Sequence, residues 1–153
     1  MSHTVTHETY IAKRAQESPA LGEVYQVLIA AANASAELSL LIGLRSLAGA
    51  TSATVGRNTD GDQQKELDVR AQEIFIRHIS AAPVAKIASE EAEDWLLLDA
   101  KKPLAVAFDP LDGSSNIDSN MSIGTIFSIR PAAGASDPFA GPGSGQIAAG
   151  FVV

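Results

Sequence analysis

The stretch VAFDPLDGSSNID, Val106 to Asp118, decides how the rest of the chain is read. Its first residues complete the apolar run Leu104 to Phe108, which has the length and composition of a buried strand. Three aspartates, Asp109, Asp112 and Asp118, follow at once, with Gly113, Ser114 and Ser115 between the second and third. Acids spaced to face one another repel unless something positive sits between them. In α/β sheets the ends of strands are where binding sites collect, so the charge is expected to serve a ligand.

The same excess appears on either side. From Asp60 to Asp118 the chain carries 13 acids against 6 bases, which accounts for the whole net charge of −7. The acids fall into three groups: DGDQQKELD (Asp60, Asp62, Glu66, Asp68), SEE (Glu90, Glu91) and DPLDGSSNID. Such a balance argues against a nucleic-acid backbone as partner and for cations, or anions delivered with cations.

Working outward, Glu8 to Gln16 reads as a short helix, and Ser18, Pro19 and Gly22 mark a stop and restart. The longest helix has Leu21, Val24, Leu28, Ala31, Leu38, Leu41, Ile42 and Leu47 at steps of three and four, with surplus apolar residues on its other faces that suit contact on more than one side. Ala48 to Asp62 reads as a long loop, and a second amphipathic helix is expected from about Gln63 to Ser80. Strands are expected at Val84–Ala88, Trp95–Leu98, Leu104–Phe108 and Ser122–Arg130. Pro131 to Gly145 is a Pro- and Gly-rich loop, and QIAAGFVV opens another strand. Ending inside an apolar strand suggests a chain trimmed from something longer. The expected fold is an α/β layered sandwich, with helices packed on a mixed sheet.

At 153 residues the chain fits one domain and, at that length, hides roughly 70% of its unfolded surface. It has no cysteine, which removes disulfides, thiolate nucleophiles and zinc–thiolate sites together and suits a cytoplasmic protein. The apolar region Val24 to Leu47 is interrupted by Gln26, Asn33, Ser35, Glu37, Ser39 and Arg45, so it reads as a core helix rather than a membrane span. MSHTVTHETY lacks the pattern of a signal peptide.

Hard oxygen ligands without His or Cys select magnesium, manganese or calcium over zinc. Magnesium takes only one or two carboxylates per ion, so several from three places suggest two or more ions. In DGSSN, Gly113 lets the backbone approach a ligand, and successive N–H groups of Gly113, Ser114 and Ser115 form an anion nest. Together these are the parts of metal-assisted phosphate-ester hydrolysis. Taken singly, each part also has an ordinary structural reading. Asp62 serves as a helix N-cap, Ser89 caps a turn with acids behind it, and Asp112-Gly113 is a common turn. The conjunction favours the site. His3, His7 and His78 read as surface or tail residues and Trp95 as packing.

The ten residues DPLDGSSNID, with GDQQKELDV, SEE and SIGTIFSI in the same order, resemble class I fructose-1,6-bisphosphatases, within the lithium-sensitive, magnesium-dependent phosphatase superfamily. The resemblance runs from Gly22 to the last residue and implies the N-terminal portion, residues 1–153, of a sugar-phosphatase fold. It implies that Glu90, Asp109 and Asp112 are metal ligands with the Leu111 carbonyl, joined by Asp62 when a mobile loop engages. It implies that Asp68 and Glu91 orient and deprotonate the attacking water, and that Asp112, Gly113, Ser114 and Ser115 bind the reacting phosphate. The cofactor implied is Mg2+, two or more per site, with Mn2+ possible. The partner implied is a sugar bisphosphate, with no nucleic acid and no membrane, in a cytoplasmic homotetramer of gluconeogenesis or the Calvin cycle.

Two departures from the family pattern bear on function. Members are longer, and their second half supplies another metal-binding glutamate and most sugar contacts, so this chain alone is expected to be inactive or nearly so. Nucleotide-inhibited members carry threonines in a GTGELT segment where this sequence reads ALGEVY, with Leu21 and Tyr25 in place of both hydroxyl residues; weak or absent AMP inhibition is expected. The alternatives are a related sugar or inositol phosphatase, sedoheptulose-bisphosphatase included, and a non-catalytic metal-binding or oligomerisation module.

Overall fold

A computed structural model describes residues 6–51, 60–114, 122–132 and 137–153. The helices are α1 (His7–Glu17), α2 (Pro19–Thr51) and α3 (Asp60–Ser80), and the strands are β1 (Val84–Ser89), β2 (Leu96–Leu97), β3 (Leu104–Asp112), β4 (Gly124–Pro131) and β5 (Ala148–Val152). Thr6 starts α1, its Oγ1 accepting the Thr9 N–H at 3.2 Å. Ser18 is extended, which ends α1, and Pro19 follows as the first residue of α2, where a missing N–H costs nothing.

The strands form one mixed sheet in the order β2-β1-β3-β4-β5, with β1 and β3 parallel and the other neighbours antiparallel. α2 and α3 lie on one face of it. Val24, Val27, Ala31, Ala34 and Leu38 from α2 and Leu67, Ala71, Ile74, Phe75 and Ile79 from α3 share one core with Val106, Phe108, Phe127 and Ile129 of the sheet. Phe75 and Phe108 stack with ring centroids 5.3 Å apart, tying α3 to the central strand. Burying each such large side chain contributes about 1.5–3 kcal/mol, so this layer fixes where α3 lies on the sheet. On the opposite face Ile126 and Phe151 are exposed.

Pro19–Leu44 is long and apolar enough, by length and composition, to cross a membrane, with a mean hydropathy of 1.8. One stripe of it, Val24, Val27, Ala31, Ala34 and Leu38, is buried against α3 and the sheet, while 28% of the apolar window as a whole is buried. Leu40 and Leu44, on its outer side, are exposed.

Three boundaries differ from expectation. Both ends of the segment read as a loop from Ala48 to Asp62 are helical, α2 continuing to Thr51 and α3 beginning at Asp60, while residues 52–59 lie outside the described set. Alanines at 48 and 50 propagate a helix well, and aspartates at 60 and 62 suit the positive end of the α3 dipole. Asp62 thus lies inside the first turn of α3 rather than capping it. Finally, β3 does not stop at Phe108 but continues through Asp109, Pro110, Leu111 and Asp112, because β4 pairs with it as far as Asp112↔Gly124. The first four residues of the acidic motif, Asp109 to Asp112, therefore belong to the strand, not to a loop after it.

Close packing explains one glycine. A Cβ on Gly150 would meet the Phe127 ring at 2.4 Å, so a side chain at residue 150 would force that buried ring aside.

Candidate active site

Topology brings acids from each of the three groups together. α3 ends at Ser80 and reaches the start of β1 through a tight turn, so its acidic first half lies over the carboxyl end of β1. Parallel pairing sends β1 and β3 out at the same end, with Ser89 opposite Phe108. The Glu90 N–H then donates to the Phe108 carbonyl at 3.0 Å, so Glu90 and Glu91 emerge beside Asp109.

Local hydrogen bonds hold the turn after β1. The Ser89 hydroxyl donates to Gln72 Oε1 at 3.2 Å and accepts the Glu91 N–H at 3.3 Å. Gln72 lies one turn beyond Asp68 on the same face of α3, so the side of the helix that presents Asp68 also anchors the glutamates. On β3 the Leu111 N–H donates to Asp109 Oδ1 at 3.0 Å. Gly113, at φ 83°, turns the chain immediately after Asp112, a conformation that a side chain would strain.

The electrostatics follow from this crowding. Asp68 has its pKa raised, chiefly by burial, with the Glu90 charge adding to the effect; a hydrogen bond from Ser114 opposes it. Asp68 Oδ1 is buried and has no hydrogen-bond partner among the described residues. Asp109 is likewise raised by burial, against the Leu111 N–H, and further by Glu90, Asp112 and Asp68. Glu91 is raised by desolvation and then by Asp68, Glu90 and Asp109. Carboxylates from α3, the β1 turn and β3 therefore lie close enough to disfavour one another's ionisation, and a cation among them would relieve that repulsion.

Among the described residues no three Asp, Glu, His or Cys side chains converge into a metal cage. The donor chemistry nevertheless fits a hard divalent ion of the magnesium type, which uses one or two carboxylates and completes its shell with water and phosphate oxygen. The partnerless Asp68 Oδ1 and the mutually raised acids are the observations that support this fit.

Asp68, Glu90, Glu91, Asp109, Asp112 and Ser114 are brought to one end of the sheet, with Leu111 buried beneath and Gly113 at the turn. The side chain of Asp62 and all of Ser115 and Asp118 lie outside the described residues. Gln72 and Thr125 were not singled out from sequence, because a lone glutamine in a helix and a threonine in a strand carry no local signal. His78 departs from its reading as a surface residue. It is half-buried, with Nε2 2.9 Å from Glu37 Oε2, joining α2 to α3. Trp95 packs under Lys86, whose Nζ lies 4.5 Å from the ring centre.

The pattern of the fructose-1,6-bisphosphatase N-terminal domain matches residues 3–153. The chain belongs to the fructose-1,6-bisphosphatase family. A class 1 fructose-1,6-bisphosphatase of Nitrobacter hamburgensis is 49% identical over 154 residues, covering 100% of this chain and 45% of that protein. One of Rhodopseudomonas palustris (strain BisB5) is 55% identical over 125 residues, covering 81% of this chain and 36% of that protein. The crystal structure of Leishmania major fructose-1,6-bisphosphatase in holo form superposes with a TM-score of 0.73 at 25% identity, over 97% of this chain and 44% of that one. The chain thus spans less than half the length of these fructose-1,6-bisphosphatases, and its helices and mixed sheet are similar to part of their fold.

Proposed function

We propose that this chain forms the acidic, phosphate-binding N-terminal domain of an enzyme that hydrolyses the 1-phosphate of D-fructose 1,6-bisphosphate to fructose 6-phosphate and phosphate. The observation that carries the reading is the gathering of Asp68, Glu90, Glu91, Asp109 and Asp112 from three elements at one sheet end, beside Gly113 and Ser114. Glu90, Asp109, Asp112 and the Leu111 carbonyl would hold magnesium or manganese, with Asp62 approaching from the first turn of α3. A bound ion of this kind supplies positive charge that offsets the phosphoryl oxygens and acidifies water.

The residues of the chain do the rest. Asp68 and Glu91 orient a water toward phosphorus and accept its proton, a role suited to carboxylates whose pKa is raised by burial and by their neighbours. The water oxygen forms the new bond to phosphorus, the bond from phosphorus to the sugar oxygen breaks, and that oxygen leaves with a proton from solvent. The Gly113 and Ser114 amides, with Ser115, bind the phosphate oxygens as a nest. The proposal includes a cytoplasmic homo-oligomer and weak or absent AMP inhibition, given Leu21 and Tyr25 in the first turns of α2.

The test is phosphate release from fructose 1,6-bisphosphate in the presence of Mg2+, measured against a Glu91→Gln variant. Release above that variant supports the reading. No release by the chain, either alone or joined to the remaining length of a relative, would replace it with a non-catalytic metal-binding module.

A further inference from the structure

We infer that Thr125 is a positioning residue that holds Asp109 and Asp112 on the same side of β3. The inference rests on the proposed reading of these two carboxylates as cation ligands and adds the device that aligns them. In a regular strand, side chains three residues apart point to opposite faces, so a D-P-L-D spacing by itself would separate its two acids. The register with β4 shows otherwise. Asp109 lies opposite Ile126, and Asp112 lies opposite Gly124. Three steps along β3 therefore match two along β4, which means one extra residue in β3, a β-bulge. Residues directly paired across a ladder share a face, and Ile126 and Gly124, two apart, share theirs. Asp109 and Asp112 consequently share it too.

The bulge is held from β4. Thr125, the residue between Gly124 and Ile126, is 2% exposed, and its Oγ1 donates to the Pro110 carbonyl at 3.0 Å. Pro110 brings no N–H to the ladder, as suits a bulge position, and it is itself buried. Its carbonyl, facing the interior, takes its hydrogen from the Thr125 hydroxyl. Without that hydroxyl the carbonyl must find another donor, and the ladder can supply one only by moving the bulge, which would turn one aspartate away. The influence of Asp112 on the Asp109 carboxyl is in keeping with the two being neighbours.

The experiment is titration of the full chain with Mn2+, following the free ion by electron paramagnetic resonance, with thermal melts recorded without metal. Thr125→Val keeps the shape and removes the donor; it should weaken Mn2+ binding about tenfold or more, the range for groups that orient a ligand. Thr125→Ser restores the donor and should bind within about twofold of wild type. Equal affinity in Thr125→Val and wild type would overturn the inference, as would equal weakening in the Val and Ser variants. Should Thr125→Val not fold by circular dichroism, Thr125→Ala makes the same comparison. Wild type binding Mn2+ no better than Asp109→Asn would instead overturn the ligand reading itself, and the inference with it.

Discussion

The two ends of α3 treat carboxylates in opposite ways. At its C-terminal end Arg77 Nη2 lies 2.6 Å and His78 Nε2 2.9 Å from the carboxylate of Glu37, on α2. The His78 hydrogen bond first, and then Arg77, hold that carboxyl below its ordinary value. Toward its N-terminal end Asp68 meets Glu90, Glu91 and Asp109, and burial and repulsion push the acids there upward. One cluster is neutralised within the chain by a contact between two helices. Among the described residues no cation is one of the groups that shift the acids of the other cluster, which suits the proposed place for a metal ion.

If that contrast is right, the largest effects belong to the acidic end. Glu91→Gln or Asp68→Asn should lower magnesium-dependent phosphate release by about 10²–10⁴-fold in the assembled enzyme, the range for loss of a general base, while Glu37→Gln leaves it nearly unchanged. Equal losses at both ends would remove the distinction.

A cation should stabilise the acidic end. With Mn2+ at about a hundred times its dissociation constant, the unfolding free energy should rise by about 2.7 kcal/mol, and Asp109→Asn should abolish the gain in a thermal-shift assay. The metal-free chain should show the matching pH dependence. Asp68, Glu91 and Asp109 have folded pKa values above their ordinary 3.8, 4.5 and 3.8, so the folded state binds more protons than the unfolded one in that window. Their contribution is fully present below those ordinary values and is lost as pH rises through the raised ones. Glu37 has the opposite sign: its contribution is present above its ordinary 4.5 and is lost as pH falls through its lowered value. Denaturant titrations across this range, with and without Mn2+, separate the two, because metal should flatten only the first dependence.

A smaller effect of unusual sign is expected at Asp68. Replacing a partly buried carboxylate that has one unpartnered oxygen with the amide of the same shape should stabilise the metal-free chain by about 1 kcal/mol in urea denaturation, even as Asp68→Asn loses activity. The smallest effect should be that of Glu37→Gln on thermal stability, at the edge of detection, because exposed ion pairs contribute little.

Much of this arrangement was legible residue by residue. The steps of three and four along α2 and α3 marked the core stripe because a helix buried on one side needs apolar residues at that period. The acids at Asp68, Glu90, Glu91, Asp109 and Asp112 stood out because charge beside apolar runs is costly without a partner. Less legible were Gln72 and Thr125, whose roles arise from contacts 17 and 15 residues away along the chain. Nor did composition show that Ala48 to Thr51 and Asp60 to Asp62 are helical, since Gly, Thr and Asn between them dominate a local reading.

By itself, then, the order of residues determined the layered α/β class and the family, because periodicity and a ten-residue acidic motif are local properties of the chain. Tertiary structure decided where β3 ends and which way its acids face. Asp109 and Asp112 are three apart, and only pairing with β4, with an extra residue absorbed at Pro110 and Leu111, turns that spacing into a common side. A strand's phase is set by its neighbour across the ladder, and that neighbour is visible only once the sheet has formed.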